Sequence, residues 1–473
     1  MTYDKAINTL YRQTPAYERQ GRSGYKDGLD NTLAIDEHYG HPHTHYQTIH
    51  IAGTNGKGSC AHSIAAALQQ CGHTTGLYTS PHIADFRERI RVDGVPVNKD
   101  YVARFVEDAL PLIARLHPSF FELTTAMAFK YFMDRHVRCA VIEVGLGGRL
   151  DCTNIITPIL SVITNISLDH TQLLGNTVTQ IAQEKAGIIK PGVPVVIGEA
   201  TPETRPVFTH KAHEAHARIV FAEDTDELRE VTEQTPTHTT QHLVRDTTRR
   251  TDPRLTTPPR AARNDTRAAN AHDNPITVYS TRTFGEIRSP LNGTCQHKNM
   301  LTVLTALKET ARADSSLIDL NNPRTASHIR DALRNVTTLT GLAGRWQTIR
   351  THPTVICDAG HNPAAWRYTA RNIAALHCPN IHIIIGMVRD KDTDAILSTL
   401  PTNAVYYFTR PDTPRALDEH ALQTAAERHG LSGHAFHSVT QALNTALQHA
   451  HTDDTILVAG SFYLLADVLQ KGV

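Results

Sequence analysis

Nowhere in the 473 residues does an apolar run approach the roughly 18 residues that a membrane-spanning helix needs. Residues 1–26 are polar, with scattered Tyr and Arg, and lack the apolar core of a secretory signal. An excess of one charge is lacking too: 47 Lys and Arg balance 47 Asp and Glu, which argues against nucleic acid as the main partner. Paired cysteines are missing. The seven present are an odd number with no C-x-x-C spacing, as fits reduced thiols. These absences predict a cytoplasmic protein with no membrane and no nucleic-acid partner. What is present is apolar residue enough for real cores, 40% of the chain, and a length that calls for two or three domains.

The most informative stretch is Ile51-Ala-Gly-Thr-Asn-Gly-Lys-Gly-Ser59. Before it, residues 48–51 have strand character. After it, Ile64, Ala67 and Leu68 fall on one helical stripe. Strand, glycine loop with lysine, then helix is the arrangement that cradles nucleotide phosphates, with backbone N–H groups and a helix N-terminus facing the anion. The loop departs from G-x-x-x-x-G-K-[ST], because Gly58 separates Lys57 from Ser59.

Short apolar runs at 48–51, 75–78, 139–144, 159–164 and 193–197 alternate with helical patterns at 58–70, 98–116, 122–135 and 178–187. Such alternation predicts an α/β fold, a mostly parallel sheet flanked by helices, with functional loops at the carboxyl ends of its strands. Between 232 and 274 the pattern degrades into Thr, Pro and Arg with little to bury, which reads as a surface insertion. Order returns at Ile276, and a helix is expected from about Asn299. A second alternating block follows, with strands at 354–357, 381–386, 405–408 and 455–459 and helices including 416–428 and 440–449.

Polar residues cluster just after these strands: Thr79-Ser80-Pro81-His82, Glu143 to Asp151, and Ser167-Leu-Asp169-His170-Thr171. If the strands share one parallel sheet, these tips converge where Lys57 would hold phosphate. A hydroxyl, a carboxylate and an imidazole there could hold Mg²⁺, for which histidine is the least apt ligand. Taken singly, each has a structural reading: the glycines a tight turn, Glu143 a solvated strand end, Asp169-His170 a helix cap. In the second block Asp358-Ala-Gly-His361-Asn362-Pro363 follows a strand, and Asn362-Pro363 reads as a helix start. Arg345 stands upstream, apt for phosphate as Asp358 is for ribose. The tract His38, His41, His43, His45 could bind a transition metal, but with 29 histidines in the chain compositional bias explains it better.

In series these strings resemble the folylpolyglutamate synthase and dihydrofolate synthase family of the Mur ligase superfamily. The match runs from His50–Ser59 through Tyr78–His82, Glu143–Asp151, Asp169–Thr171 and Glu184–Gly187. It continues with Gly344–Trp346, Asp358–Pro363, Gly386–Asp392 and Ala459–Phe462. The resemblance implies a central-type P-loop ATP-binding domain at 1–335, carrying the 232–274 insertion, and a smaller Rossmann-like α/β C-terminal domain at 336–473. It implies an ATP-dependent ligase that joins L-glutamate to dihydropteroate and to reduced folates through an acyl phosphate, acting as a monomer.

The family's residues carry over one by one. Gly53, Thr54, Asn55, Gly56, Lys57, Gly58 and Ser59 would bind the ATP phosphates, with Lys57 offsetting the charge of transfer. Ser80, Glu143 and His170 would be magnesium ligands, and Lys185 matches a lysine that is carbamylated in relatives and approaches a second Mg²⁺. K⁺ or another monovalent cation is a further cofactor the family allows. Asn299, Arg345 and Asp358 match nucleotide contacts, with His361 beside them. Phe120, Phe121 and Glu122, with Leu150, Asp151 and Cys152, fall where relatives bind the pteroate. Three other readings stay open at this point: a UDP-linked cell-wall peptide ligase, a P-loop ATPase or kinase, and a non-catalytic nucleotide-binding relative.

Overall fold

The structure, a computed structural model, describes residues 1–16, 26, 28–234 and 275–471. Its described residues form two large sheets and a small one. The first has eight strands: β1 (Gln47–Ala52), β2 (Thr75–Tyr78), β3 (Ile90–Val92), β4 (Val95–Pro96), β5 (Cys139–Glu143), β6 (Leu160–Ile163), β7 (Val195–Ile197) and β8 (Ile219–Phe221). Their order is β4-β3-β2-β5-β1-β6-β7-β8, and all pairings from β2 to β8 are parallel. Only β3 and β4, which the sequence pattern does not announce, run antiparallel at one edge.

Register makes the carboxyl ends coincide. Ile51 of β1 lies opposite Glu143 of β5 and Val162 of β6, and Tyr78 of β2 lies opposite Ile142. The phosphate loop, Thr79–Ser80, Glu143 and the segment from Thr164 to His170 therefore leave the sheet along one edge, as the strand pattern required. The apolar runs of β1, β5 and β6 are buried on both faces, which is why they read as continuous rather than alternating.

The helix Lys57–Gln70 is buried from Gly58 to Leu68, packed between this sheet and the helices Cys295–Ala313 and Thr325–Arg334. The first of those begins earlier than the expected Asn299, because the N–H and hydroxyl of Thr294 both donate to Asn372 Oδ1 and fix the turn before Cys295. The helix expected from 122 likewise starts sooner, at Phe120, where Ser119 and Glu122 form a capping box. The helix expected at 416–428 is shorter, Glu419–Glu427, since Asp418 caps it.

A three-stranded antiparallel sheet, β11-β10-β9, joins β9 (Leu228–Gln234), β10 (Ile276–Thr281) and β11 (Glu286–Ser289). Residues 232–234, expected to open the insertion, are thus strand; 235–274 lie outside the described residues.

The second large sheet has the order β12-β13-β17-β14-β15-β16. It comprises β12 (Gln347–Thr351), β13 (Thr354–Asp358), β14 (Ile381–Ile385), β15 (Val405–Thr409), β16 (Gly433–Phe436) and β17 (Thr455–Ala459). Only β12 is antiparallel. Asp358 and Ile385 both face Ala459, so the ends of β13, β14 and β17 form one edge that meets the first domain. Among the described residues no helix is long and apolar enough to cross a membrane.

Candidate active site

Between the two sheet edges lies a cavity of about 310 Å³, and every expected site residue except Glu122 lines it. Its floor is the phosphate loop. Gly53 has φ +144°, and a Cβ there would sit 1.8 Å from Thr164 Oγ1; Gly56 has φ +84°, and a Cβ would sit 2.2 Å from Asn299 Oδ1. Only glycine fits either place. The strand end beside them holds the loop: Thr54 N donates to Asn165 O at 2.8 Å, Asn55 N to Asn165 Oδ1 at 3.0 Å, and Thr164 Oγ1 to Asn55 O at 2.6 Å. Since the helix starts at Lys57, the N–H groups of its first turn have no intrahelical acceptor and are available to an anion. Lys57 Nζ is folded back on the loop, donating to Gly53 O at 3.1 Å and Thr54 O at 3.2 Å. Asn299 donates to Gln296 Oε1 at 2.9 Å, and Gln296 reaches Ser59 Oγ at 3.5 Å.

Gly58, the residue that makes this loop unusual, now has a reason. A Cβ there would lie 3.2 Å from Arg345 Nη2 of the second domain and 3.8 Å from Glu143 Oε2. Gly58→Ala would ask only a flexible guanidinium to shift, whereas Gly53→Ala meets backbone-anchored Thr164 in a strained conformation. We expect Gly53→Ala to lose about 1–3 kcal/mol of stability and its ADP binding, and Gly58→Ala to melt near the parent. Thermal melts with and without ADP check both.

Beside the loop the polar strand ends converge. Glu143 is 4% exposed, its Oε2 accepts from Ser80 N at 3.1 Å, and burial raises its carboxyl above the ordinary range. Burial pushes the His170 imidazole down to about 3, so it is neutral. Lys185 is 5% exposed; burial first, and then the charge of Lys57, push its ammonium down to about 7. Gly148 brings Lys185 in. A Cβ on Gly148 would meet Glu184 O at 2.8 Å and Lys185 Cα at 3.0 Å, and Arg149 N donates to Glu184 O at 2.8 Å. A buried carboxylate whose charge is opposed by desolvation lines the same cavity as the Ser80 hydroxyl and a neutral imidazole, a donor set whose chemistry fits one Mg²⁺ completed by phosphate oxygens. Among the described residues no group of three or more His, Cys, Asp or Glu could enclose a metal alone.

From the second domain, Arg345 lies half-buried with its guanidinium 5.1 Å from the Phe462 ring centre. Asp358 fixes the turn that carries it, accepting from Trp346 N and Gly360 N, each at 2.9 Å. Asn362 caps the helix Pro363–Ala374, accepting from Ala365 N at 2.9 Å, as the Asn-Pro pair predicted. His361 Nδ1 lies 3.1 Å from Ala359 O.

The far end of the cavity is apolar. Phe120, 2% exposed, packs flat on Tyr11 (centroids 5.0 Å apart, planes within 8°), with the Arg89 guanidinium 5.2 Å from its centre. Phe121 stacks on Tyr78 at 5.9 Å and lies against Gly145, where a Cβ would sit 2.3 Å from its ring. Asp151 accepts from Leu146 N at 2.8 Å and Thr153 N at 3.0 Å, pinning the loop that presents Leu150 and Cys152. Glu122 is placed elsewhere: its carboxylate accepts from Ser119 N at 2.5 Å and closes the capping box, so it does not reach the cavity.

Several lining residues were not among the expected site residues. Pro15 and Ala16 arrive with the end of the first helix, and Tyr368, Lys391 and Arg415 from the second domain. Lys391 sits in the Gly386–Asp392 string, and only folding shows that it reaches Asp169. The histidine tract has a structural use: His41 and His43 each bond buried Asp36 through Nδ1 at 2.7 Å.

Models of two families match the chain: the Mur ligase middle domain over residues 51–307, and the Mur ligase, glutamate ligase domain over 344–462. A dihydrofolate synthase/folylpolyglutamate synthase of Bacillus subtilis is 30% identical over 469 residues, covering 95% of either chain. The chain belongs to the folylpolyglutamate synthase and dihydrofolate synthase family. It is also 32% identical to the "Probable bifunctional folylpolyglutamate synthase/dihydropteroate synthase" of Haloferax volcanii, over 99% of this chain. The chain spans 50% of that relative's length. Among solved structures, Mycobacterium tuberculosis folylpolyglutamate synthase complexed with ADP superposes with a TM-score of 0.78 at 27% identity, covering 99% of this chain and 98% of its own. Within this family the chain is an ATP-dependent ligase of the Mur type.

Proposed function

We propose that the protein joins L-glutamate to dihydropteroate and to the γ-carboxyl of reduced folates, with ATP converted to ADP and phosphate. The observation that carries this reading is one cavity lined by the glycine loop Gly53–Ser59, by Phe120 and Phe121 of the first domain, and by Arg345 and Lys391 of the second. A carboxylate is a poor electrophile at neutral pH. Its oxygen attacks the γ-phosphorus, ADP departs, and the acyl phosphate that results has a leaving group. The amine of glutamate, having lost a proton, then attacks the acyl carbon and phosphate leaves.

Each set of residues has a part in this. The loop Gly53–Ser59 and Lys57 bind the outer phosphates, and Arg345 approaches over Gly58 to offset the transferred charge. Asn299 and Asp358 hold the nucleoside. Phe121, with Leu150 and Cys152, offers the flat apolar surface that a pterin ring stacks on. Ser80, Glu143 and His170 would hold Mg²⁺, which neutralises phosphate charge when bound. The neutral amine of Lys185 can add to carbon dioxide, with loss of a proton, and so become an anion able to approach a second ion.

The test is ADP release by the purified protein with Mg²⁺, ATP and glutamate. Release is expected with dihydropteroate and with a reduced folate, and not without an acceptor. Turnover with the reduced folate alone would reduce the protein to chain extension; turnover with neither would sink the folate reading.

A further inference from the structure

One carboxylate of the first domain takes three groups from the second. Asp169 lies just before His170, with its side chain 8% exposed. Lys391 Nζ donates to its Oδ1 at 2.6 Å, Asn362 Nδ2 donates to Oδ2 at 2.9 Å, and His361 Nε2 lies 3.5 Å from Oδ2. Lys391 is itself 9% exposed. Asn362 also faces the phosphate loop: its amide donates to Asn55 Oδ1 at 3.0 Å and its carbonyl accepts from Asn55 Nδ2 at 3.2 Å. The loop that binds phosphate, the segment carrying His170, and two loops of the second domain thus meet in one network. A charge buried this far is stable only while its partners stay, and parting the domains would take all three away. The acceptor pocket around Phe121, Leu150 and Cys152 belongs to the first domain alone and lies outside the network.

We propose that Asn362 and Lys391 are positioning residues that latch the second domain onto Asp169 and the phosphate loop, holding Arg345 and His361 over the outer phosphates. The role assigned to the latch rests on the ligase reading, but the latch itself can be measured without turnover.

The decisive variant is Asn362→Asp. Aspartate caps a helix as well as asparagine does, so Pro363–Ala374 keeps its start, while a carboxylate oxygen now faces Asp169. Melting near the parent is expected, with a larger radius of gyration by small-angle scattering. ADP affinity should fall about tenfold, the size of a lost pairwise coupling. With substrates, kcat should fall while KM for the pterin acceptor stays within roughly twofold. Adding Asp169→Asn reverses donor and acceptor toward residue 362 but removes the carboxylate that Lys391 pairs with, so it should restore compactness and ADP affinity in part. Lys391→Met should open the molecule, and Lys391→Arg should not. Unchanged scattering and ADP affinity in Asn362→Asp and Lys391→Met would overturn the latch, as would a double variant no better than the single. Turnover lost without opening would also overturn it and leave the ligase reading intact. Opening in a protein that shows no folate-dependent turnover would support the latch while sinking the ligase reading.

Discussion

Lys57→Met is expected to lower ligase turnover by about 10²–10³-fold, the effect of removing one preorganised charge from a phosphoryl-transfer site, while acceptor binding stays at the parent level. Methionine keeps the apolar stem, so the loop loses charge and little packing. Among the described residues Nζ donates only to carbonyls of its own loop, Gly53 O and Thr54 O, contacts that neutral loops do without. The loop is held instead by Asn165, Thr164 and the glycine geometry, none of which involves the ammonium. Fold and acceptor pocket should therefore survive, and the loss should appear in kcat. A second consequence follows from charge alone. Lys57 is among the groups that lower the Lys185 pKa, so removing it makes Lys185 more basic and less available to carbon dioxide. Lys57→Met and Lys185→Ala should thus be non-additive, the double variant falling little below the worse single one. Steady-state ADP release for the three variants, with acceptor titration by fluorescence, checks this. Full additivity would mean that the two lysines act independently.

Much of this site could be read in the chain because its parts obey local rules. A phosphate loop is contiguous: strand, glycines, lysine and helix lie within a few residues, and each glycine answers to a backbone angle that sequence can state. Polar residues after strands were legible for the same reason, since parallel register brings Ile51, Tyr78 and Glu143 to one edge. The missed elements obey no such period. The strands β3 and β4 are a short edge ribbon, and β9 to β11 form a small sheet across the insertion. Phe120 and Phe121 looked equivalent in sequence and both line the cavity, yet Tyr11, more than a hundred positions away, packs flat on Phe120 while Phe121 stacks on Tyr78. Glu122 was expected at the pocket because it falls, with two aromatics, where relatives bind the pteroate; the capping box takes its carboxylate, and that signature, Ser119-x-x-Glu122, was in the sequence to be read. Asp169 with Lys391 is the opposite case: a contact between residues 222 positions apart is beyond any local pattern.

Lys185→Ala should be the more severe loss, about 10³-fold or greater, since an anion that carbon dioxide alone can create would have no replacement. The structure makes the lysine an odd one before any chemistry is invoked. It sits 5% exposed on the helix Val178–Ala186, beside a second lysine, where burial opposes its charge. A solvated helix lysine would gain nothing from such a place, and Gly148 has to be glycine to admit the backbone that carries it. A methyl group there removes a poorly solvated cation, so melting should stay at or above the parent, separating lost chemistry from lost fold. Small carboxylates provide the positive control. If the working group is a carbamate, formate or acetate at high concentration should enter the space vacated in Lys185→Ala and return part of the activity. Neither should help Lys185→Arg, whose guanidinium fills the space with fixed charge and cannot take up carbon dioxide. Activity in Lys185→Ala equal to the parent would remove the residue from the mechanism. Loss without rescue, in a protein that melts normally, would leave it a role as an amine and rule out the carbamate.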